Sequence, residues 1–369
     1  MVGRRNVESS HLVDVELGTA ARSCPGLLAT DGPAPTTGRR TGATDGPGGA
    51  ARTDVAGAAA PGTFSATVAV VGNTPFGHAA RNRVSHNVTG ALSAYERAAL
   101  RFDVTDVGPA DGRVVIMLHG FPEDRFGWSD LAAPLADAGY RVLAPDQRGY
   151  SPSASPRHRR AYRLSELIDD VLTLADAAGT ERFDLVGHDW GSLVGWGLAG
   201  RHPERVRSLC ALSVPHPGAM RHALTRSTQA LASSYVLFFQ LPWLPERVLA
   251  RRGGRLLAEG LERSGLDHAT AQRFASRAAE PAGMTGPLNW YRAIPLDGAS
   301  LPGPVTVPTL FVWGDRERFV TRRAAEACGR WVKGPYRFVP LPGRTHWLPT
   351  TAADVLAPIL GEHLTATAD

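Results

Sequence analysis

Between residues 113 and 341 the chain repeats one arrangement six times: a short apolar run that stops at a glycine, proline, histidine or aspartate. The runs are 113–118, ending at His119-Gly120; 141–145, ending at Asp146; 183–186, ending at Gly187; 206–214, ending at Pro215; 307–313, ending at Gly314; and 337–341, ending near Gly343. Helical periodicity separates several of them, as in Leu164, Leu167, Ile168, Val171, Leu172 and Leu174. Short apolar runs alternating with helices predict a mostly parallel sheet covered on both faces. In such sheets the chemistry sits at the carboxyl ends of the strands. An alternating pattern begins earlier, at residues 101–104, and is turned between Gly108 and Gly112. Residues 216–300 break the rhythm. They are helical in pattern and rich in aromatics (Tyr235, Phe238, Phe239, Trp243, Trp290, Tyr291), and they read as a helical lid inserted after one strand.

The third run leads into Gly187-His188-Asp189-Trp190-Gly191, and a helix beginning Ser192-Leu193-Val194 follows. This is the glycine-x-nucleophile-x-glycine elbow, whose glycines permit a strained turn that lifts the middle side chain out of the sheet. Here that side chain is a carboxylate. It needs no proton removed before attack and displaces well at an sp3 carbon, leaving an ester on the enzyme that water must cleave. The following Gly195-Trp196-Gly197-Leu198-Ala199-Gly200 matches a dinucleotide fingerprint, but it lies inside the helix rather than directly after a strand, and is read as close helix packing.

Cleaving an ester needs a base. His346 stands in the loop after the last run, and Asp315 and Glu317 follow the run before it; either carboxylate is a candidate to orient the imidazole. Two backbone N–H groups should meet the ester oxygen as charge develops on it. One comes from Trp190, directly after the nucleophile, and the other from Phe121 in the loop His119-Gly120-Phe121-Pro122.

Taken with these motifs, residues 101–365 resemble the epoxide hydrolases of the α/β-hydrolase fold. The matching segments are His119-Gly120-Phe121-Pro122-Glu123, Asp146-Gln147-Arg148-Gly149-Tyr150-Ser151, Gly187-His188-Asp189-Trp190-Gly191 and Gly343-Arg344-Thr345-His346-Trp347. Two lid segments join them, Ser234-Tyr235-Val236-Leu237-Phe238-Phe239-Gln240 and Leu288-Asn289-Trp290-Tyr291-Arg292. The resemblance implies an α/β-hydrolase core at 96–215 and 301–369 with a lid at 216–300. It implies Asp189 as nucleophile, His346 as base and Glu317 as the triad acid. Tyr235 and Tyr291 would hydrogen-bond the epoxide oxygen. His119, Pro122, Trp190, Phe239 and Trp347 are expected around the substrate. The chain departs from the family in one respect: the acid is usually Asp, which leaves Asp315 as the alternative to Glu317. No carboxylate follows Val214-Pro215-His216-Pro217, the family's other acid position. The reaction implied is epoxide plus water to a vicinal diol, with no cofactor and no metal, on a small apolar epoxide, by a monomer or homodimer.

The nearest rival is a haloalkane or haloacid dehalogenase, which shares the Asp-His-acid set. It needs donors for a halide; Trp190 could be one, but Phe121 offers no polar side chain, and the tyrosine pair favours the epoxide. A non-catalytic ligand-binding protein of the same fold is a second rival, and buried charges without a task are costly.

Composition narrows the remaining classes. The net charge of +5 comes from 39 arginines and a single lysine, Lys333, against 35 acids, spread along the chain, so a nucleic-acid stripe is not expected. There is no stretch of 18 apolar residues, so neither a membrane span nor a membrane partner is expected. Cys24, Cys210 and Cys328 are odd in number and far apart, which argues against a disulfide framework or a CxxC metal site. Lys333-Gly334 is not part of a P-loop. Residues 1–95 hold 14 Gly and 6 Pro without a sustained apolar period, and are expected to be a disordered Gly/Ala/Pro/Thr-rich extension. No apolar stretch follows Arg4-Arg5, so an export signal is not expected and a cytoplasmic location is.

Overall fold

A computed structural model describes residues 91–297 and 302–367. The expected extension therefore lies, as far as residue 90, outside the described residues. Eight strands form one sheet: β1 (Ala94–Arg97), β2 (Leu100–Val107), β3 (Arg113–Leu118), β4 (Tyr140–Pro145), β5 (Phe183–His188), β6 (Val206–Leu212), β7 (Thr309–Gly314) and β8 (Tyr336–Leu341). Their order is β1-β2-β4-β3-β5-β6-β7-β8. The pairs β1·β2 and β2·β4 are antiparallel and the remaining pairs are parallel. The sheet thus begins before residue 96, where sequence reading placed the start of the core.

The alternation along the strands divides the core between two faces. Val115 and Met117 pack on one face, with Leu131 and Leu135 of α1 (Ser129–Asp137), Leu348 of α12 (Leu348–Thr351) and Leu356, Leu360 and Leu364 of α13 (Ala353–Ala366). Ile116 and Leu118 pack on the other, with Leu167, Ile168 and Val171 of α2 (Leu164–Ala177) and Val194 and Leu198 of α3 (Trp190–Arg201). Full burial of each such side chain contributes about 1.5–3 kcal/mol. The glycines of the apparent dinucleotide fingerprint serve this packing: a Cβ on Gly195 would stand 2.9 Å from Leu209 of the sheet.

Seven helices lie between β6 and β7: α4 (Pro217–Leu224), α5 (Gln229–Ala232), α6 (Tyr235–Phe239), α7 (Leu244–Leu249), α8 (Arg255–Arg263), α9 (His268–Ala275) and α10 (Pro281–Ala293). They form the lid. Its internal pin is Arg292, which is buried. Its guanidinium donates to both carboxylate oxygens of Glu246, at 2.6 and 2.9 Å, and to the carbonyls of Phe239 and Leu241. One short helix, α11 (Arg322–Glu326), follows β7. No helix among the described residues is long and apolar enough to cross a membrane.

Candidate active site

Asp189 stands at the carboxyl end of β5, between the strand and α3, with φ 51° and ψ −114°. A non-glycine residue in that region is strained, and here the strain points the carboxylate away from the sheet. The turn closes only because Gly191 has no side chain: a Cβ there would lie 1.9 Å from the Leu118 carbonyl oxygen. The loop after β3 comes equally close, since a Cβ on Gly120 would lie 2.4 Å from the Asp189 Cβ. That approach lets the Phe121 N–H donate to Asp189 Oδ1 at 2.9 Å. The Phe121-Pro122 bond is cis. Trp190 is the first residue of α3, so its N–H has no partner within the helix.

The loops after β7 and β8 supply the other two groups. His346 Nδ1 is 2.7 Å from Glu317 Oε2, and its Nε2 is 3.6 Å from Asp189 Oδ2. The second Glu317 oxygen accepts from the Phe319 N–H at 2.8 Å, which fixes the carboxylate's orientation. Asp315 faces elsewhere: it is exposed and accepts from the Gly343 N–H at 2.6 Å. Of the two carboxylates left open by the sequence, Glu317 is the one on the imidazole.

Burial by itself would lower the His346 pKa, but the charge of Glu317 and the bonds to Asp189 and Glu317 outweigh it and push the ring up to about 10. Asp189 shows the reverse balance. Burial raises its carboxyl, and the hydrogen bond and charge of His346 bring it below the ordinary value. Both shifts run towards a charged pair, His346 protonated beside an ionised Asp189.

Two cavities meet at Asp189. The larger, about 570 Å³, runs between Trp190, Leu193 and Val214 of the core and Met220, Tyr235 and Leu237 of the lid. The smaller, about 210 Å³, is closed by Phe121, Pro122, Phe239, Leu261, His346 and Trp347, among others. Asp189, Tyr235, Tyr291 and Phe319 line both. Tyr235 opens α6, Tyr291 lies on α10, and their ring centroids are 6.0 Å apart. Burial raises both phenols, and the Asp189 charge adds to the effect. They stay protonated donors throughout the neutral range.

The family model for the alpha/beta hydrolase fold matches residues 113–351. Epoxide hydrolase A of Mycobacterium tuberculosis is 35% identical over 308 residues, covering 72% of this chain and 94% of that one. The chain belongs to the epoxide hydrolases of the α/β-hydrolase fold. An α/β-hydrolase superfamily protein of Bacillus subtilis, YfhM, is likewise 35% identical, over 71% of this chain and 93% of its own. The crystal structure of epoxide hydrolase A from Mycobacterium thermoresistibile superposes with a TM-score of 0.62 at 29% identity, covering 74% of this chain and 97% of that one.

Most residues singled out from the sequence of this epoxide hydrolase meet at one place. Asp189, His346, Glu317, Tyr235, Tyr291, Phe121, Pro122, Trp190, Phe239 and Trp347 all line a cavity or touch a residue that does. His119 does not. It was expected in the pocket, but it is 1% exposed and turned into the core, where its Nδ1 is 2.9 Å from the Gly120 carbonyl and its Nε2 accepts from the Gln147 N–H. The strand-end turn needs both contacts, so the ring braces the loop that carries the Phe121 N–H.

Sequence reading missed three residues. Phe319 lines both cavities and packs edge-on against His346. Glu123 and His188 form a fully buried pair behind the nucleophile. His188 Nδ1 is 2.7 Å from Glu123 Oε2, and its Nε2 is 2.9 Å from the His346 carbonyl, so that nitrogen carries a proton. Burial would raise the Glu123 carboxyl, but His188 and the Gly120 N–H hold it below its ordinary value. Both residues belonged to recognised motifs; only their turn-forming neighbours had been assigned a task.

Proposed function

We propose that the chain hydrolyses an epoxide to a vicinal diol through a covalent ester on Asp189. The observation that supports this best is a carboxylate with one oxygen tied to a backbone N–H, facing a space bounded by two protonated phenols. Asp189 Oδ1 sits with the Phe121 N–H, which leaves Oδ2 to attack the ring carbon. The carbon–oxygen bond breaks, and the alkoxide forms facing the hydroxyls of Tyr235 and Tyr291. Phenol donors stabilise that charge where it appears.

The second half follows from the charge balance. Once Asp189 is an ester, its negative charge is gone, and with it one of the two anions that hold His346 protonated. The imidazole can then release a proton, which balances the one the alkoxide gains. Neutral His346, oriented by Glu317, takes a proton from water as it attacks the ester carbonyl. Charge developing on Oδ1 meets the N–H groups of Phe121 and Trp190. Diol release restores the imidazolium and the two carboxylates.

His346→Gln tests this order. Glutamine cannot accept a proton from water, so the ester should form and persist. Intact-mass spectrometry after mixing with styrene oxide should show the protein heavier by one substrate. Normal turnover by this variant, with no adduct at any time, would overturn the base assignment.

A further inference from the structure

Of the nine large apolar side chains exposed among the described residues, eight lie in the lid, and only Phe126 lies outside it. Large exposed apolar patches mark binding places, and three of the eight share one cavity. Leu224, Leu237 and Ile294 are 42%, 74% and 44% exposed, and all three also line the larger cavity. They form its rim. Arg221 completes the rim, exposed and lining the same space.

Charge on this side is one-sided. Residues 216–256 contain six arginines and one acid. That acid, Glu246, is buried against Arg292, and Arg255 pairs with Glu259 just beyond the segment at 2.9 Å, so the excess rests on Arg221, Arg226, Arg247, Arg251 and Arg252. Behind the rim, Arg330 Nη1 is 3.1 Å from His222 Nε2. A further group of arginines, Arg322 and Arg323 beside Arg330, surrounds one acid, Glu326, which is 3.5 Å from Arg322. A tally along the sequence hides this because acids elsewhere cancel it; folding places Arg221 on the mouth of the cavity and Arg226, Arg323 and Arg330 around the neighbouring His222.

Leucines interleaved with arginines on short helices are the composition of an interfacial surface that rests on anionic lipid. We propose that the rim of the larger cavity docks on an anionic bilayer, so that apolar substrates pass from the lipid into the cavity without crossing water. The docking is peripheral, since no described helix is long and apolar enough to span. It is independent of the reaction assigned to Asp189.

Co-sedimentation with vesicles tests it directly and needs no turnover. The full chain should pellet with phosphatidylcholine vesicles containing phosphatidylglycerol, should not pellet with phosphatidylcholine alone, and should be released as salt rises. Arg226→Gln, which does not touch the cavity, should weaken partitioning by about fivefold. Adding Leu231→Ser, between the cavity-lining Ala230 and Ser233, should weaken it further. Both variants should keep the parent melting temperature and the parent rate on a water-soluble epoxide. Failure to pellet with anionic vesicles at low salt, or equal binding to neutral ones, overturns the proposal. So does a concentration-dependent dimer that the same substitutions dissolve in a protein that ignores vesicles, because the rim would then be covered by a second copy.

Discussion

The sheet edge and the lid hold their functional groups by different means. At the edge, main-chain geometry does the positioning: Asp189 on a strained turn, Phe121 through its N–H, and Glu317 braced by the Phe319 N–H. Four strand ends fix the nucleophile, the hydrogen bond to its oxygen, the acid and the base. In the lid, side chains do it. Tyr235 and Tyr291 sit on helices joined by Gln240, which donates to the Tyr291 carbonyl at 2.7 Å, and by buried Arg292, which donates to the Phe239 carbonyl at 3.0 Å. In the reaction proposed above, the edge carries the covalent chemistry, and the lid carries the groups that determine which bond is opened. Substitutions in the two regions should therefore fail differently.

The largest expected effect is at the edge. Asp189→Ala removes the atom that forms the ester, so turnover should vanish. Alanine is no better suited than aspartate to the positive φ of this position, so the change relieves no strain and the melting temperature should change little. Retention of more than a few per cent of wild-type turnover would break the assignment of the edge as the covalent half.

The next effect lies in the lid. Tyr235→Phe together with Tyr291→Phe removes both donors without changing shape. Losing one such donor costs on the order of a hundredfold in rate, so the pair should reduce epoxide opening severely, and no ester should accumulate. A reactive haloalkane produces no alkoxide, and its displacement should be nearly indifferent to the change. Full-rate epoxide opening by the double variant would move the dehalogenase reading to first place.

The same contrast explains what the sequence made legible. Strands β3 to β7 stood out because interior strands of such a sheet are apolar throughout and end sharply, while β8, at the sheet edge and mostly half-buried, stood out by its run Phe338-Val339-Pro340-Leu341. The elbow stood out because its glycines are required by close contact, Gly191 with the Leu118 carbonyl and Gly187 with the backbone of Gly191 and Ser192. Of the hairpin of β1 and β2, only the alternation at 101–104 did; β1 and its pairing did not. The hairpin's turn is Ala98-Ala99 at φ 49° and 63°, where a two-residue hairpin usually carries Asn or Gly, so no turn signal marked it. His119 was misplaced because a motif identifies a residue without saying which way its ring turns. In the lid, the aromatic content was visible, but short helices give little periodicity to read. The Arg292–Glu246 pin links residues 46 apart through tertiary packing alone.

The smallest effect separates the charge networks of the two regions and is read through pH. Folding raises the His346 pKa from 6.5 to about 10. A group whose folded pKa is raised binds its proton more tightly in the native state, so folding gains stability wherever the unfolded ring would have lost its proton and the native ring keeps it. The contribution is complete below pH 6.5 and is lost progressively as pH rises from there towards 10. The melting temperature of the wild type should therefore fall across that window. Glu317→Gln removes the largest favourable charge, so the variant's fall should be shallower and confined to the lower part of the window. The lid tyrosines carry no charge in that range, and Tyr291→Phe should leave the wild-type slope in place. Parallel slopes for wild type and Glu317→Gln would show that the imidazolium is not held by the edge carboxylates, and the charge balance assigned to the second half-reaction would fall with it.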